Sequence, residues 1–183
     1  ALARVSNNPG KVHWILAKRV LAYLQGTSSY GPIYRPEGVR GDVRFTETDV
    51  LDYSVDASFA DIKPFDYGPA DEGRRSTYGY IGMHAGGPVS WASRVQKGKR
   101  ALSSTEAETY AACSAARDIT HLRRVARDIG LLNDAPTPLW IDNQSALHII
   151  QEHAITERNK HFDVQLFFVR DCQSDGTIDT RKV

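Results

Sequence analysis

The chain has 183 residues, 41% hydrophobic and 25% charged, with 23 Lys and Arg against 22 Asp and Glu for a formal charge of +1. That length suits one domain with a true core and room for an appendage. The near-neutral balance excludes a globally basic nucleic-acid binder, so any such role must rest on local patches. No apolar run reaches membrane-spanning length, and the start carries no signal-peptide pattern. Two cysteines, Cys113 and Cys172, cannot build a disulfide framework, and a reduced intracellular setting is the simpler reading. The chain opens on ALARVSNNPG and stops at DTRKV, which reads as a fragment of something longer.

Residues 9–26 predict a first helix, with Asn8 as N-cap, Pro9 at the first helical position and Trp14, Val20, Leu21 and Leu24 as its apolar positions. TSSYGPIYRPEGVRGD (27–42) is a linker, or a short hairpin around Ile33 and Tyr34, and the domain boundary is expected between Arg35 and Phe45. Leu51, Tyr53 and Val55 alternate with Asp52, Ser54 and Asp56, the period of a half-buried strand running into Phe59. The loop from Asp61 to Arg74 is long for a hairpin connection. Strands are predicted over 76–84 and 88–94, with Gly86 and Gly87 as the turn between them. A basic loop, Arg94 to Arg100, follows.

The stretch 101–130 predicts one long amphipathic helix, because Ala111, Ala115, Ile119, Leu122, Ala126 and Ile129 form a continuous apolar stripe. Three residues back along that stripe stands Glu108, a carboxylate on a face that should be buried. Glu106 is expected on the polar side, towards Arg117 and Arg124. Ser103 and Glu106 also have the spacing of a capping box. Beyond Gly130, Pro136 and Pro138 frame a short strand, Leu139 to Asp142. Helices follow over 143–151 and 162–172, and a last strand over 176–183. Hairpin-linked strands first and helix-linked strands later imply a mixed sheet whose antiparallel part leads. Trp91 and Trp140 are expected in the core.

Three acids occupy comparable points. Asp56 lies near the end of the first strand, Glu108 at the start of the long helix, and Asp142 at the end of the fourth strand, where α/β sheets place ligands. Asp56 could be a solvated strand acid and Asp142 a helix cap. An unpaired carboxylate on a core stripe is costly, however, and a shared divalent metal resolves all three.

The segments VDASFAD, RRSTYGY, GGPVSWASRVQ, ALSSTEAETYAA, LWIDNQSAL and RNKHFD resemble, in order, the RNase H domain of copia-type (Ty1/copia) retrotransposon polyproteins. HWILAKRVLAYLQGTSSYG resembles the end of the reverse-transcriptase region before that domain. The resemblance assigns 1–40 to the tail of the reverse-transcriptase or connection region and 41–183 to an RNase H-like domain cut short at its C-terminal end. It implies an α/β fold with an RNase H-like mixed five-stranded sheet, three antiparallel strands first and then helix-linked parallel strands, flanked by helices. It further implies a metal-dependent endoribonuclease that cleaves the RNA strand of RNA/DNA hybrids with two Mg²⁺ ions, Mn²⁺ being a substitute. Its partners would be the hybrid and the reverse-transcriptase domain of the same polyprotein, with no membrane. Its setting would be intracellular, in cytoplasmic virus-like particles or the nucleus.

Carried over by position, the family's first three catalytic and metal-binding acids fall on Asp56, Glu108 and Asp142. The family's E-x-x-A pattern matches Glu108, Thr109, Tyr110 and Ala111. Its fourth acid belongs to an A-D-x-x-T-K segment past the last strand, which these residues do not reach. The order Asp, Glu, Asp also rejects the related integrase reading, whose glutamate comes last. Arg94, Lys97, Lys99, Arg100, Ser103, Ser104 and Asn143 are the candidate nucleic-acid contacts, with Arg74, Arg75 and the Arg123, Arg124, Arg127 cluster as further basic positions. The alternative is a catalytically incomplete RNase H-like module that binds hybrid or docks on the polymerase domain.

Overall fold

The structure is a computed structural model that describes residues 2, 6, 8–34, 51–60, 75–96, 100–131, 134–152 and 163–183. The described elements are α1 (Lys11–Gly26), β1 (Asp52–Ser58), β2 (Thr77–His84), β3 (Gly87–Val95), α2 (Ser104–Asp128), β4 (Thr137–Ile141), α3 (Gln144–Gln151), α4 (Asp163–Ser174) and β5 (Ile178–Lys182). The five strands form one sheet in the order β3-β2-β1-β4-β5. β1, β2 and β3 are antiparallel, while β4 runs parallel to both β1 and β5. This is the RNase H-like mixed sheet that the sequence led us to expect.

The alternation in β1 sets which face is covered. Tyr53 and Val55 are buried against Ala111, Ala115 and Ile119 of α2, whereas Ser54 and Asp56 are exposed. Small residues on α2 let the helix lie close to the sheet. The same core takes in Leu139, Ile141, Leu147, Ile150, Leu166, Val169 and Ile178, so α2, α3 and α4 share one side. Gly82 of β2 is required here, since a Cβ would collide with the Tyr53 ring. That close approach seats the Tyr53 hydroxyl to donate to Asp118 Oδ2 at 2.6 Å, a fully buried phenol satisfied by the helix.

Several expectations shift. The turn between β2 and β3 is Ala85–Gly86, both at positive φ (49° and 76°), and Gly87 already belongs to β3. Two left-handed residues match the twist of a tight hairpin, and one glycine suffices for it. Helix α1 begins at Lys11 with Gly10 as N-cap, so neither Asn8 nor Pro9 has the expected role; His13 Nδ1 accepts the Gly10 N–H at 3.0 Å instead. Strand β4 includes Pro138 and stops at Ile141, leaving Asp142 just beyond it. Pairing with β1 starts only at Leu139, so the missing N–H of Pro138 removes no bond to β1.

Trp91 is 70% exposed and Trp140 is half-buried, not core. Both lie in the row Trp91, Ile81, Ser54, Trp140 across the solvent side of the sheet, and Trp140 Nε1 donates to Asp52 Oδ1 at 2.6 Å. The stripe on α2 also leaves the core early, with Ile129 63% exposed. The domain boundary expected at 35–45, the loop 61–74, Lys97 and Lys99 all lie outside the described residues. So no hairpin is seen around Ile33 and Tyr34 among the residues described, although the Tyr34 hydroxyl donates to the Pro88 carbonyl at 2.8 Å.

Candidate active site

The site forms where one strand outlasts its neighbour. β1 and β4 pair through Val55 and Ile141 and no further, while β1 continues to Ser58 on β2. The Ala57 N–H therefore lies past the last β4 partner, and Glu108 Oε1, from the first turns of α2, accepts it at 3.2 Å. Asp56 precedes Ala57 and Asp142 follows Ile141, so both border the same notch. Carboxylate oxygens of Asp56, Glu108 and Asp142 lie within 4.8 Å of one another. The three acids singled out in the sequence come together.

Their environments differ. Asp56 and Asp142 are exposed, whereas Glu108 is only 4% exposed. Its Oε2 is buried and receives no donor. The Glu108 pKa is pushed up to about 7, first by burial and then by the Asp142 carboxylate, opposed by the Ala57 N–H and reinforced by Asp56. A buried acceptor without a donor beside two further carboxylates is the donor set of a hard cation. An octahedral Mg²⁺ with bonds of about 2.1 Å accepts ligand oxygens up to roughly 4.2 Å apart. At most one pair of the three can be trans, so the exposed Asp56 and Asp142 side chains would close in by rotation about their χ angles until the cis oxygens stand about 3 Å apart. The residues fit the ion.

Glu106 contradicts one expectation. It is 3% exposed, buried rather than on a solvated polar side. Its Oε2 accepts the Leu102 N–H at 2.6 Å, while Ser103 Oγ accepts the Glu106 N–H at 3.1 Å. The reciprocal cap forms, shifted by one residue on its return arm, and burial of the helix start draws Glu106 inward with it. Asn143 caps α3, its Oδ1 accepting the Ala146 N–H at 3.0 Å. That leaves the Asn143 amide nitrogen as the group with donors to spare. Ser103, Ser104, Arg94 and Arg100 are exposed near the notch end of β3 and the start of α2. Arg123 leaves the basic cluster: it is 8% exposed and donates to Ala135 O at 2.8 Å and Thr137 Oγ1 at 3.0 Å. Its guanidinium ties α2 to the start of β4.

The sequence reading missed Lys182, the last residue of β5. Its Nζ donates to the main-chain carbonyl of Asp142. Forty residues separate the two, and only the parallel pairing of β4 with β5 brings them together.

No protein-family model matches the chain. It is 32% identical over 184 residues to the Retrovirus-related Pol polyprotein from transposon TNT 1-94 of Nicotiana tabacum, an alignment covering 100% of this chain and 12% of that protein. It is 29% identical over 177 residues to the polyprotein from transposon RE2 of Arabidopsis thaliana, covering 97% and 11%. The chain belongs to the copia-type Pol polyproteins. It spans only about an eighth of the length of these relatives. A 121-residue part, 66% of the chain, is also 35% identical to 72% of the Secreted RxLR effector protein 161 of Plasmopara viticola. Among solved structures, RNase H1 from the halophilic archaeon Halobacterium salinarum NRC-1 aligns with a TM-score of 0.47 and 16% identity over 73% of this chain and 84% of its own.

Proposed function

We propose that this copia-type chain is the ribonuclease H of a retrotransposon reverse transcriptase, hydrolysing the RNA strand of RNA/DNA hybrids. One observation carries the reading: Asp56, Glu108 and Asp142 converge in the notch where β4 ends and β1 continues. Those three residues would hold divalent metal, Mg²⁺ by preference and Mn²⁺ as a substitute. Bound there as a pair, such ions supply an activated water and stabilise the charge on the leaving 3′-oxygen.

The chain's own residues do the rest. Glu108 is fixed by Ala57 and sits deepest, so it sets the floor of the site, while the exposed Asp56 and Asp142 form its rim. Exposed Arg94 and Arg100 border the approach, where they would neutralise backbone phosphates. Ser103, Ser104 and the Asn143 amide offer hydrogen bonds to sugar and phosphate. Lys97 and Lys99, which lie between Arg94 and Arg100 in the sequence, are further candidate phosphate contacts. Residues 1–40 we assign to the reverse-transcriptase region. Helix α1 has no buried residue and exposes Trp14, Leu21 and Leu24, the behaviour of a helix whose apolar side belongs against the polymerase.

The test is cleavage of a labelled RNA strand annealed to DNA, in Mg²⁺ and in chelator, beside single-stranded RNA and duplex DNA. Metal-dependent cuts confined to the RNA of the hybrid are expected. Hybrid binding without cleavage would instead support the catalytically incomplete module.

A further inference from the structure

Of the three acids, Asp142 has the weakest frame. Asp56 lies within β1 and pairs with Gly79 of β2, and Glu108 lies within α2 and is held by the Ala57 N–H. Asp142 belongs to no element, standing between the end of β4 and the N-cap of α3. Its neighbours are fixed on either side. The Val183 N–H donates to Ile141 O at 3.3 Å, and Asn143 O accepts the Leu147 N–H at 3.0 Å. The Asp142 carbonyl falls past the ladder and before the helix, so neither can supply its donor. Lys182 Nζ supplies it. Lysine is otherwise a mobile, solvated side chain whose ordering costs rotamer entropy. Here it reaches across to one carbonyl beside three carboxylates.

We propose that Lys182 is a positioning residue of the metal site, acting through Asp142. By holding the Asp142 carbonyl it fixes the peptide plane from which that side chain departs, and so aims the carboxylate at Glu108 and Asp56. This rests on the metal-site reading above. Charge and positioning predict opposite results, which makes the role testable. Removing a cation beside a cation site should tighten metal binding by charge alone. Removing the support of a ligand should weaken it, by about tenfold for comparable outer contacts.

The experiment is a calorimetric titration of the metal-free protein with Mn²⁺, comparing wild type, Lys182→Met and Lys182→Arg, with melting temperatures as a check on folding. Lys182→Gln serves in place of Lys182→Met if that variant does not fold. The expected result is a Mn²⁺ Kd raised roughly tenfold in Lys182→Met and restored to within about twofold in Lys182→Arg. On hybrid, Lys182→Met should lower kcat at saturating substrate while KM stays unchanged. An unchanged or tighter Mn²⁺ Kd in Lys182→Met overturns the proposal and leaves Lys182 a surface charge. A wild type that binds no Mn²⁺ overturns the metal-site reading itself, and this proposal with it.

Discussion

Glu108→Gln should stabilise the metal-free protein at neutral and alkaline pH. A displacement from 4.5 to about 7 corresponds to roughly 3 kcal/mol of differential interaction between the two protonation states. The sign follows from linkage. The native state holds this proton more tightly than the unfolded chain, so the associated stability is fully present below about pH 4.5 and is lost as pH rises through about 7. Above that pH the wild type carries the full cost of a buried charge at Glu108, to which its carboxylate neighbours add. Glutamine removes the charge, keeps an oxygen for the Ala57 N–H and offers an amide to Asp142. At about 2–4 °C per kcal/mol for a domain of this size, the variant should melt higher by up to roughly 6–12 °C at pH 8 in chelator. The difference should shrink steadily towards pH 5. Millimolar Mg²⁺ should raise the wild type and leave the variant nearly unmoved, because the ion binds only the intact native site. Melting curves at four pH values, with chelator and with Mg²⁺, check all of this. A variant that melts no higher than wild type at pH 8, or a difference that stays constant down to pH 5, would refute the claim that burial and the neighbouring carboxylates together disfavour a charged Glu108.

Asp56→Asn and Asp142→Asn should each lower hybrid cleavage more than tenfold, a barrier rise above ~1.4 kcal/mol, while filter-binding affinity for the hybrid persists; retained cleavage would remove that residue from the site. Glu106→Ala should lower stability by about 0.5–2 kcal/mol through the lost cap, read from urea midpoints. Glu106→Gln should cleave like wild type, and a dead but folded Glu106→Gln would mean the chemistry resides on the wrong face of α2. Gly82→Ala should destabilise by about 1–3 kcal/mol, because the new methyl meets the Tyr53 ring and disturbs its bond to Asp118. Tyr53→Phe, which leaves the ring in place, should cost less than Gly82→Ala.

The fold was legible where one periodicity dominated. Tyr53 and Val55 alternating with Ser54 and Asp56 announced β1, and Ala111, Ala115 and Ile119 announced the buried face of α2. Glu108 was legible for the same reason, as a carboxylate on an apolar stripe. The errors have a common cause: periodicity names a face but not what covers it. Trp91 and Trp140 read as core because aromatic strand residues usually are, yet both fall on the side of the sheet away from α2, α3 and α4. Glu106 read as solvent-facing because its angle on the helix was right, whereas the start of α2 is buried through four consecutive residues, Glu106 to Thr109. Arg123 read as part of a basic face, and only the chain after Gly130, folding back to present Ala135 O and Thr137, explains its burial. Lys182 carried no local signal, since its partner is set by the crossover from β4 to β5.

The central claim is that Asp56, Glu108 and Asp142 hold a divalent cation, and anomalous diffraction from crystals grown with Mn²⁺ tests it most directly. An anomalous peak is predicted in the notch beyond Val55 and Ile141, within about 2.0–2.3 Å of an oxygen from each carboxylate. Ordered Mn²⁺ bound only elsewhere on the protein, with these carboxylates metal-free at millimolar Mn²⁺, would contradict the account.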